Sequence, residues 1–420
     1  MASADEIPLP FITKVLGAFG IAPSSFNVER NAKATNNNVF LIHLEEPTTS
    51  DLLFKSDKPL PLANAIPTGT SSLVLRIPKV DNNVQDNVRV RNEVACLHLA
   101  RQALLEADKP LVPRVFSWSD ATAAAGDTFG DDDKDYILEE FLGGETMSWD
   151  ELKALNEEDR AAVCAQFARI AKVWQEYQLP DDITGYGSIT FDDAGRFAST
   201  ESIFRVGGPY ETYADYLNAT IQWQLNQSDN VAYLGGWKTN KDFPDLRLRI
   251  NTFIANKLPA LLADIPEHKP CLIHGDLTLP NLHFDKKTNR LVGILDFDFG
   301  HIGSPLTEAM YSFAEFGGLL WGRGDDDERS ALLSGFPEPV KAEDALGHAW
   351  DKALAAEGAQ RPSTIKEAEL VSDLWWFGQE LCYFHWLLPR FHEKITDEQK
   401  KKSFDKSAKA IDVYLKHWGY

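Results

Sequence analysis

Residues 272–281 read Leu-Ile-His-Gly-Asp-Leu-Thr-Leu-Pro-Asn, and residues 291–300 read Leu-Val-Gly-Ile-Leu-Asp-Phe-Asp-Phe-Gly. Short apolar runs enter and leave the first polar group, and a Lys-Lys-Thr-Asn-Arg turn separates it from the second. This pattern predicts a strand, a polar loop and then a β-hairpin. Because a hairpin brings the chain back beside itself, we expect Asp296 to lie next to Asn281.

Three oxygen-bearing side chains of this segment have the layout that ATP-dependent phosphoryl transfer requires. The chemistry needs one carboxylate that orients the attacking hydroxyl, and hard oxygen ligands that hold Mg²⁺ against the nucleotide phosphates. We interpret Asp276 as the candidate catalytic base, and Asn281 and Asp296 as candidate metal ligands. ATP and Mg²⁺ are the cofactors expected. A lone His-Gly-Asp would be an ordinary turn, so it is the joint spacing that favours a functional site.

The pattern His-Gly-Asp-x4-Asn at 274–281, followed by Leu-Asp-Phe-Asp at 295–298, resembles the catalytic motif of the aminoglycoside phosphotransferase and choline kinase-like family, in its fungal-type branch. Members of that family share the bilobal protein-kinase fold. The resemblance implies an α+β chain with a small N-terminal lobe, built of an antiparallel sheet and one helix, and a larger, mainly helical C-terminal lobe. It assigns residues 1–142 to the nucleotide-binding lobe and hinge, and residues 143–420 to the catalytic and acceptor-binding lobe.

The motif differs from that of protein kinases. Their loop usually reads His-Arg-Asp, but Gly275 stands in the place of the arginine, and no Ala-Pro-Glu element follows the metal strand. The Asp-Phe-Gly of residues 298–300 is offset from Asp296, into which the apolar strand leads directly. We therefore expect Asp296 to bind the metal and Asp298 to be a supporting acid. His274 is expected to stabilise the loop by hydrogen bonds rather than to act as a base.

The resemblance also implies a phosphate-binding cation and its acidic partner in the N-terminal lobe. Arg76, on the strand pattern 73–78, stands where the family keeps a lysine, and a guanidinium can still pair with phosphate oxygens. Glu93 lies in a segment with the apolar periodicity of an amphipathic helix, from which it would face Arg76. Farther along, Glu308 occupies the position at which the family segment normally has an aspartate. Both substitutions leave open whether activity is altered.

Two backbone segments are expected to contact the nucleotide. A polar turn between two strand patterns would approach the phosphates through its N–H groups, although a plain hairpin turn is the alternative. An apolar strand that ends in Gly143-Gly144 would connect the lobes and bind the adenine edge by its backbone. The residues of the turn are Thr35, Asn36 and Asn37, and those of the hinge are Glu140, Phe141 and Leu142.

The most aromatic stretch of the chain covers residues 373–386. On a helix, Trp376, Tyr383 and, less closely, Glu380 would lie on one face, a surface able to bind a flat ring or an ammonium group. Core packing is the alternative, since aromatic stripes at helical spacing usually belong to a core. We keep these three residues as candidates for an acceptor pocket.

Composition restricts the partners. The 420 residues are 44% hydrophobic and 25% charged, which is ordinary for a globular enzyme. The formal charge of −21 disfavours a nucleic-acid partner, because phosphate binding needs a basic footprint. Four separated cysteines predict buried thiols in a reducing compartment, and no apolar run approaches the length of a membrane helix. A cytoplasmic protein without a membrane partner is expected, and its oligomeric state is left open.

The function predicted is that of an ATP- and Mg²⁺-dependent phosphotransferase, a small-molecule kinase. It would O-phosphorylate a hydroxyl of a small metabolite, amine-containing metabolites included. The alternative is a nucleotide-binding pseudokinase or scaffold that transfers no phosphate. The identity of the acceptor, and the choice between ATP and GTP, are not encoded in these motifs.

Overall fold

The N-terminal part of the chain forms a five-stranded antiparallel sheet in the order β1-β2-β3-β5-β4. The structure is a computed structural model, and it describes residues 7–32, 34, 36–56, 59–79, 84–107, 110–120, 134–324, 326–387 and 394–420. Two helices pack on this sheet. The elements are α1 (Leu9–Gly17), β1 (Phe26–Asn31), β2 (Asn37–Leu44), β3 (Ser72–Pro78), α2 (Asp86–Glu106), β4 (Val115–Ser119) and β5 (Tyr136–Glu140).

The alternation of side chains along β3 places Arg76 on the face of the sheet that carries α2. Leu75 packs in the cluster that contains the apolar face of α1, while Ile137, the β5 partner of Arg76, packs in the cluster that contains α2. Successive side chains of a strand point to opposite faces. Arg76 therefore shares its face with the helix that carries Glu93.

Helix α1 corrects the prediction of a single helix in this lobe. Its buried residues Phe11, Ile12, Val15 and Leu16 recur at helical spacing, a signal that the sequence contains but that the prediction did not use. Residues 117–119 belong to the buried strand β4, and residues 121–133 lie outside the described part of the chain.

The C-terminal part is mainly helical, with short strands around the predicted motif. Its helices are α3 (Trp149–Ala154), α4 (Glu157–Glu176), α5 (Tyr213–Asn230), α6 (Leu246–Asn256), α7 (Leu258–Ala263), α8 (Pro305–Tyr311), α9 (Asp326–Ser334), α10 (Ala345–Glu357), α11 (Ala368–Leu381) and α12 (Asp397–His417). Its strands are β6 (Glu145–Thr146), β7 (Ser188–Phe191), β8 (Phe197–Thr200), β9 (Cys271–Ile273), β10 (Leu282–Asp285), β11 (Arg290–Ile294) and β12 (His301–Gly303).

Three strand pairings position the motif. Strand β9, which leads into it, pairs antiparallel with β12, which follows it. The predicted hairpin is present as β10 and β11, with Leu282 opposite Ile294. Strand β10 also pairs with β6, directly after the crossover from the N-terminal sheet. The pairing of β9 with β12 thus holds the two ends of the motif together, and the pairing of β10 with β6 joins its hairpin to the crossover segment.

The four cysteines are buried and carry no disulfide, which agrees with the predicted thiols. Among the described residues, no helix combines the length and the apolar character needed to cross a bilayer.

Candidate active site

Gly275 lets the loop after β9 adopt a conformation that an arginine would not tolerate. Its φ is +78°, and a Cβ at this position would lie 2.7 Å from the carbonyl oxygen of Phe299. Positive φ and close backbone approach both favour glycine. The loop therefore packs directly on the segment that follows Asp298.

His274 is fully buried and holds the loop in place through both ring nitrogens. Its Nε2 lies 3.0 Å from the carbonyl oxygen of Leu295, and the backbone N–H of Asp276 points to its Nδ1 over 3.2 Å. Because a carbonyl only accepts, Nε2 carries the proton and Nδ1 accepts. Burial lowers the pKa of His274 to about 4, so the ring is neutral at pH 7.

Glu308, at the position where the family has an aspartate, accepts hydrogen bonds from the same loop. The backbone N–H groups of His274 and Gly275 donate to its carboxylate over 2.6 and 3.2 Å. Ser312 donates its hydroxyl to Glu308 and accepts the N–H of Leu277 over 2.8 Å. Burial raises the pKa of Glu308, and these donors oppose that rise. The longer side chain thus still stabilises the loop backbone.

The carboxylate of Asp276 is oriented by Asn281. The amide nitrogen of Asn281 donates to Asp276 Oδ2 and to the Asp276 carbonyl, each over 2.8 Å, and Thr278 Oγ1 lies 3.4 Å from Asp276 Oδ1. Burial and the charge of Asp296 raise the pKa of Asp276 to about 7. Since the amide nitrogen of Asn281 is engaged, its carboxamide oxygen is the atom left to bind a cation.

Asp296 lies next to Asn281, as the hairpin predicts. The N–H of Leu295 donates to the Asn281 carbonyl over 2.9 Å, and Asp296 follows at once. Its backbone is left-handed, with φ +66°, a conformation that is costly for a non-glycine residue and that is often found at functional sites. The side chain is 34% exposed, so it is accessible to a ligand. Desolvation of the carboxylate by the protein around it, and then the charge of Asp298, raise the pKa of Asp296 to about 6.

Arg76 is buried among carboxylates. It pairs with Glu93, as predicted, and its Nη2 lies 2.6 Å from Asp296 Oδ1 and 3.2 Å from Asp298 Oδ1. A further carboxylate, that of Glu139, lies 3.8 Å from Nη1. These acids raise the pKa of Arg76 well above its ordinary value despite its burial. The cation therefore contacts the candidate metal ligand as well as its expected helix partner.

Asp298 is held by three donors, two of which the sequence did not suggest. Arg89 Nη2 and Asn37 Nδ2 lie 3.1 and 2.9 Å from Asp298 Oδ2, and Arg76 approaches the other oxygen. Although burial opposes it, the two guanidinium groups hold the pKa of Asp298 below its usual range. Arg89 precedes Glu93 by one helical turn, and that spacing is the signal that could have identified it.

The sequence model of the phosphotransferase enzyme family matches residues 65–345, a range that contains the whole constellation. The chain belongs to the phosphotransferase enzyme family. The predicted family is thereby confirmed. So is the predicted class of fold: a small part with an antiparallel sheet is joined to a larger, mainly helical part.

Solved structures with a similar course of the chain include phosphotransferases. APH(2'')-IIa in a ternary complex with streptomycin and ATP is 14% identical, with coverage of 98% of this chain and 99% of that chain and a TM-score of 0.48. Choline kinase from Cryptosporidium parvum is 14% identical, with coverage of 97% and 98% and a TM-score of 0.43. No curated protein sequence matches the chain.

In this phosphotransferase-family chain, the turn between β1 and β2 only partly coincides with the predicted phosphate contact. Thr35 lies outside the described residues. The Asn36 carbonyl accepts from Arg89 Nη2 over 3.3 Å, and Asn37 uses its side chain on Asp298. The two asparagines therefore connect the β1–β2 hairpin to Asp298, Asn37 directly and Asn36 through Arg89. Contact of this turn with phosphates stays a prediction.

The hinge residues connect β5 to β6 and occupy three different environments. The Glu140 carboxylate accepts two hydrogen bonds from the Arg114 guanidinium, over 2.6 and 3.0 Å, so its side chain is not available to a nucleotide. Phe141 is 39% exposed. The Leu142 carbonyl lies 3.3 Å from His283 Nδ1, which ties the hinge to β10. Adenine binding by this backbone stays a prediction.

The predicted aromatic face is only partly present. Helix α11 ends at Leu381, so Tyr383 lies beyond the helix and the helical spacing does not apply to it. Trp376 donates its indole N–H to the Leu320 carbonyl over 2.8 Å and packs on Trp321, with ring centroids 5.2 Å apart. Trp376 is thus engaged in packing, whereas Tyr383 is 38% exposed.

Other aromatic rings lie closer to the catalytic loop. Phe204 stacks nearly parallel to Phe299 and to Tyr311, each with centroids 6.2 Å apart, and all three rings are half-buried. Phe299 is the residue on which Gly275 packs. These positions are far apart in the sequence, so no local pattern could have grouped them.

Proposed function

We propose that the protein is an ATP- and Mg²⁺-dependent phosphotransferase that phosphorylates a hydroxyl group of a small molecule. The observation that carries the proposal is the Asp276 carboxylate held by Asn281, which in turn lies beside Asp296. One acid for the attacking hydroxyl and two oxygen ligands for a metal thus meet at the end of one hairpin, in a chain of the phosphotransferase enzyme family.

Asp276 would orient the acceptor. Its carboxylate accepts a hydrogen bond from the incoming hydroxyl and keeps the oxygen in line with the γ-phosphorus. The acceptor oxygen forms the new P–O bond, the bond between the γ-phosphorus and the ADP oxygen breaks, and the hydroxyl proton passes to Asp276. A pKa of about 7 suits a group that must accept and then release a proton near neutral pH.

The donor set fits Mg²⁺. The carboxamide oxygen of Asn281 and the carboxylate of Asp296 are the hard ligands that this ion prefers, and two such groups with substrate phosphates make up its usual protein site. Mg²⁺ held there would neutralise charge on the phosphate oxygens. Asp298 would not bind it directly, since Arg89, Arg76 and Asn37 already occupy its oxygens.

Arg76 and Glu93 would position the phosphates. When Asp296 turns to a cation, the Nη2 group of Arg76 keeps only Asp298 Oδ1, 3.2 Å away, and can donate its other N–H to a phosphate oxygen, while Nη1 stays on Glu93. Backbone groups of residues 140–142 would bind adenine, and we draw the boundary between the two lobes after residue 142. The exposed Phe141 supports an open cleft at this point.

The acceptor would bind on the C-terminal lobe. The half-buried rings of Phe204, Phe299 and Tyr311 next to the catalytic loop support a pocket with an aromatic wall. Burial is the larger cause that raises the pKa of Tyr383, and the charge of the Glu380 carboxylate raises it further. Trp376 would not contact the acceptor, since it packs on Trp321 and donates to the Leu320 carbonyl.

The alternative is a nucleotide-binding scaffold without transfer activity. The ion pair between Arg76 and Asp296 favours it, because a metal ligand bound by a buried guanidinium is not ready for a metal. ADP release with choline-like alcohols, amino sugars and amino alcohols, with and without Mg²⁺, decides between the two. Turnover that Asp276→Asn abolishes supports the enzyme, and ATP binding without turnover on any acceptor supports the scaffold.

A further inference from the structure

Asn92, one residue before Glu93 on helix α2, connects three parts of the molecule. Its side chain is fully buried. The amide nitrogen donates to the carbonyl of Gly300 over 2.7 Å, and the amide oxygen accepts the N–H of Ile189 over 2.9 Å. Both ends of the amide are therefore used, one on the segment after Asp298 and one on strand β7.

Helix α2 lies so close to the backbone of Gly300 that a side chain at position 300 would collide with it. A Cβ on Gly300 would lie 2.9 Å from both Cβ and Sγ of Cys96, one helical turn after Asn92. The N–H of Gly300 donates to the carbonyl of Phe297 over 2.9 Å, which closes the turn that contains Asp298. Helix α2 thus rests directly on the turn that carries the acidic residues of the site.

The hairpin of β7 and β8 packs along the same helix. Arg91 donates to the carbonyl of Phe191 over 3.0 Å, and its guanidinium lies 5.2 Å from the centroid of the Trp118 ring and 5.6 Å from that of Phe191. His98 packs on Phe197 of β8, with centroids 5.7 Å apart. An element of the C-terminal lobe therefore supports a helix of the N-terminal lobe.

We propose that Asn92 is a positioning residue for phosphate binding. By joining α2 to the turn 297–300 and to β7, it sets the distance between Glu93 and the acids of the site, and so keeps Arg76 beside Asp296. The inference rests on the proposed function, since it concerns how the phosphate-binding group is held. Asn92 itself contacts neither the candidate metal ligands nor Asp276 among the contacts of the described residues.

Position 92 requires a side chain that can both donate and accept a hydrogen bond. An aspartate keeps the shape and the acceptor for Ile189, but it has no donor for the Gly300 carbonyl and places two oxygens against each other. The Gly300 carbonyl and the carboxylate oxygen that faces it are both buried and left unpaired, and this favours a shift of the helix that separates them. Such a shift would move Glu93, which is adjacent in the helix, away from Arg76.

The test compares binding of MgATP with binding of adenosine by calorimetry, because only MgATP depends on the phosphate-binding group. We expect Asn92→Asp to weaken MgATP binding by ~10-fold or more, the scale of a lost hydrogen bond with its partner left unsatisfied, and to change adenosine binding less than ~2-fold. Leu104→Ala is the matched control, since it removes a buried side chain from the far end of the same helix. It should lower the melting temperature without changing the ratio of the two affinities.

Gly300→Ala poses the same question from the other side, so the proposal stays testable if Asn92→Asp does not fold. Its new methyl group would press on Cys96 and should also weaken MgATP selectively. Equal losses for MgATP and adenosine in both variants, or the same ratio as in Leu104→Ala, would overturn the role of Asn92. If the wild-type protein itself binds MgATP no better than adenosine, the proposed function fails first and the positioning role with it.

Discussion

The Nη2 group of Arg76 lies 2.6 Å from Oδ1 of Asp296. The cation expected to bind phosphate is thus paired with the carboxylate expected to hold the metal. In this arrangement the guanidinium neutralises an acid that would otherwise repel Asp298 across the same small volume. A cation at Asp296 and the ion pair with Arg76 compete for the same oxygen, and this competition makes several outcomes measurable.

Removal of the Asp296 charge should abolish turnover. We expect Asp296→Asn to stay folded, to bind ATP without the gain in affinity that Mg²⁺ confers on the wild type, and to lose transfer activity, because the neutral amide lacks the negative charge with which the carboxylate binds the cation. Asp285→Asn, at the exposed end of β10, is the control and should behave as wild type. If the wild-type protein keeps its full turnover in EDTA, the assignment of Asp296 as a metal ligand is wrong.

Substitutions of Arg76 should separate its charge from its shape. Arg76→Ala leaves Glu93 buried without its cation and leaves Arg89 as the remaining guanidinium partner of Asp298, so we expect a loss of about 3–5 kcal/mol in the free energy of unfolding. In Arg76→Lys the charge remains, and ATP binding should be weakened far less. Both variants should affect ATP more than adenosine. Equal losses for the two ligands would assign Arg76 a structural role only.

Asp276→Asn tests the reaction itself. The amide preserves the shape and removes the charge, so ATP affinity should stay near normal while transfer to an identified acceptor falls ~10²-fold or more, the scale for a positioned acid–base group. The measurement needs the acceptor, since hydrolysis of ATP by water does not require the same alignment. A wild-type rate in this variant would contradict the assignment of Asp276.

The pH dependence should report Asp276 and not His274. Because the pKa of Asp276 is raised to about 7, the reactive carboxylate is lost as the pH falls through that value, and the transfer rate should fall with it. His274, with a pKa of about 4, is neutral throughout this range.

The raised pKa of Asp276 also affects stability, because the folded state binds the proton of this carboxyl group more tightly than the unfolded state does. The contribution of Asp276 to the free energy of unfolding therefore declines as the pH rises from about 4 to about 7. Chemical denaturation of Asp276→Asn should show a smaller decline, and an identical one would contradict the assignment.

Glu308→Gln should loosen the catalytic loop. The amide can accept one of the two backbone N–H groups, but its own NH₂ then opposes the other, and we expect a cost of about 1–3 kcal/mol in the free energy of unfolding. Turnover should fall more than ATP affinity, since the loop carries Asp276 and not the adenine site. A variant with reduced stability and unchanged turnover would show that the loop keeps its position without Glu308.

The sequence was sufficient for those parts of the site that are close together in the chain. Asn281 and Asp296 belong to one hairpin, whose register follows from its apolar pattern, and the pairing of Glu93 with Arg76 was implied by the resemblance to the family. The contacts of Arg89 and Asn92 join α2 to residues 298–300, more than two hundred positions away. Such contacts depend on how the helix packs, and no local periodicity encodes them.

The roles of the aromatic residues were harder to predict for the same reason. The stretch around Trp376 stands out in the sequence because its rings are contiguous, yet packing against Trp321 and Leu320 engages Trp376 itself. The rings near the catalytic loop come from three separate segments. Helix α1 was not predicted although its apolar pattern is present, because a short element offers few residues from which a period can be recognised.

The length of the Glu308 side chain determines where helix α8 can lie. Both of its carboxylate oxygens receive backbone N–H groups of the catalytic loop, so the reach of the side chain sets the separation between helix α8 and that loop. A chain with aspartate here, one methylene shorter, must bring the helix closer to make the same bonds. Replacement of Glu308 by aspartate would therefore leave a gap, and the two residue types are interchangeable only together with a coordinated movement of α8.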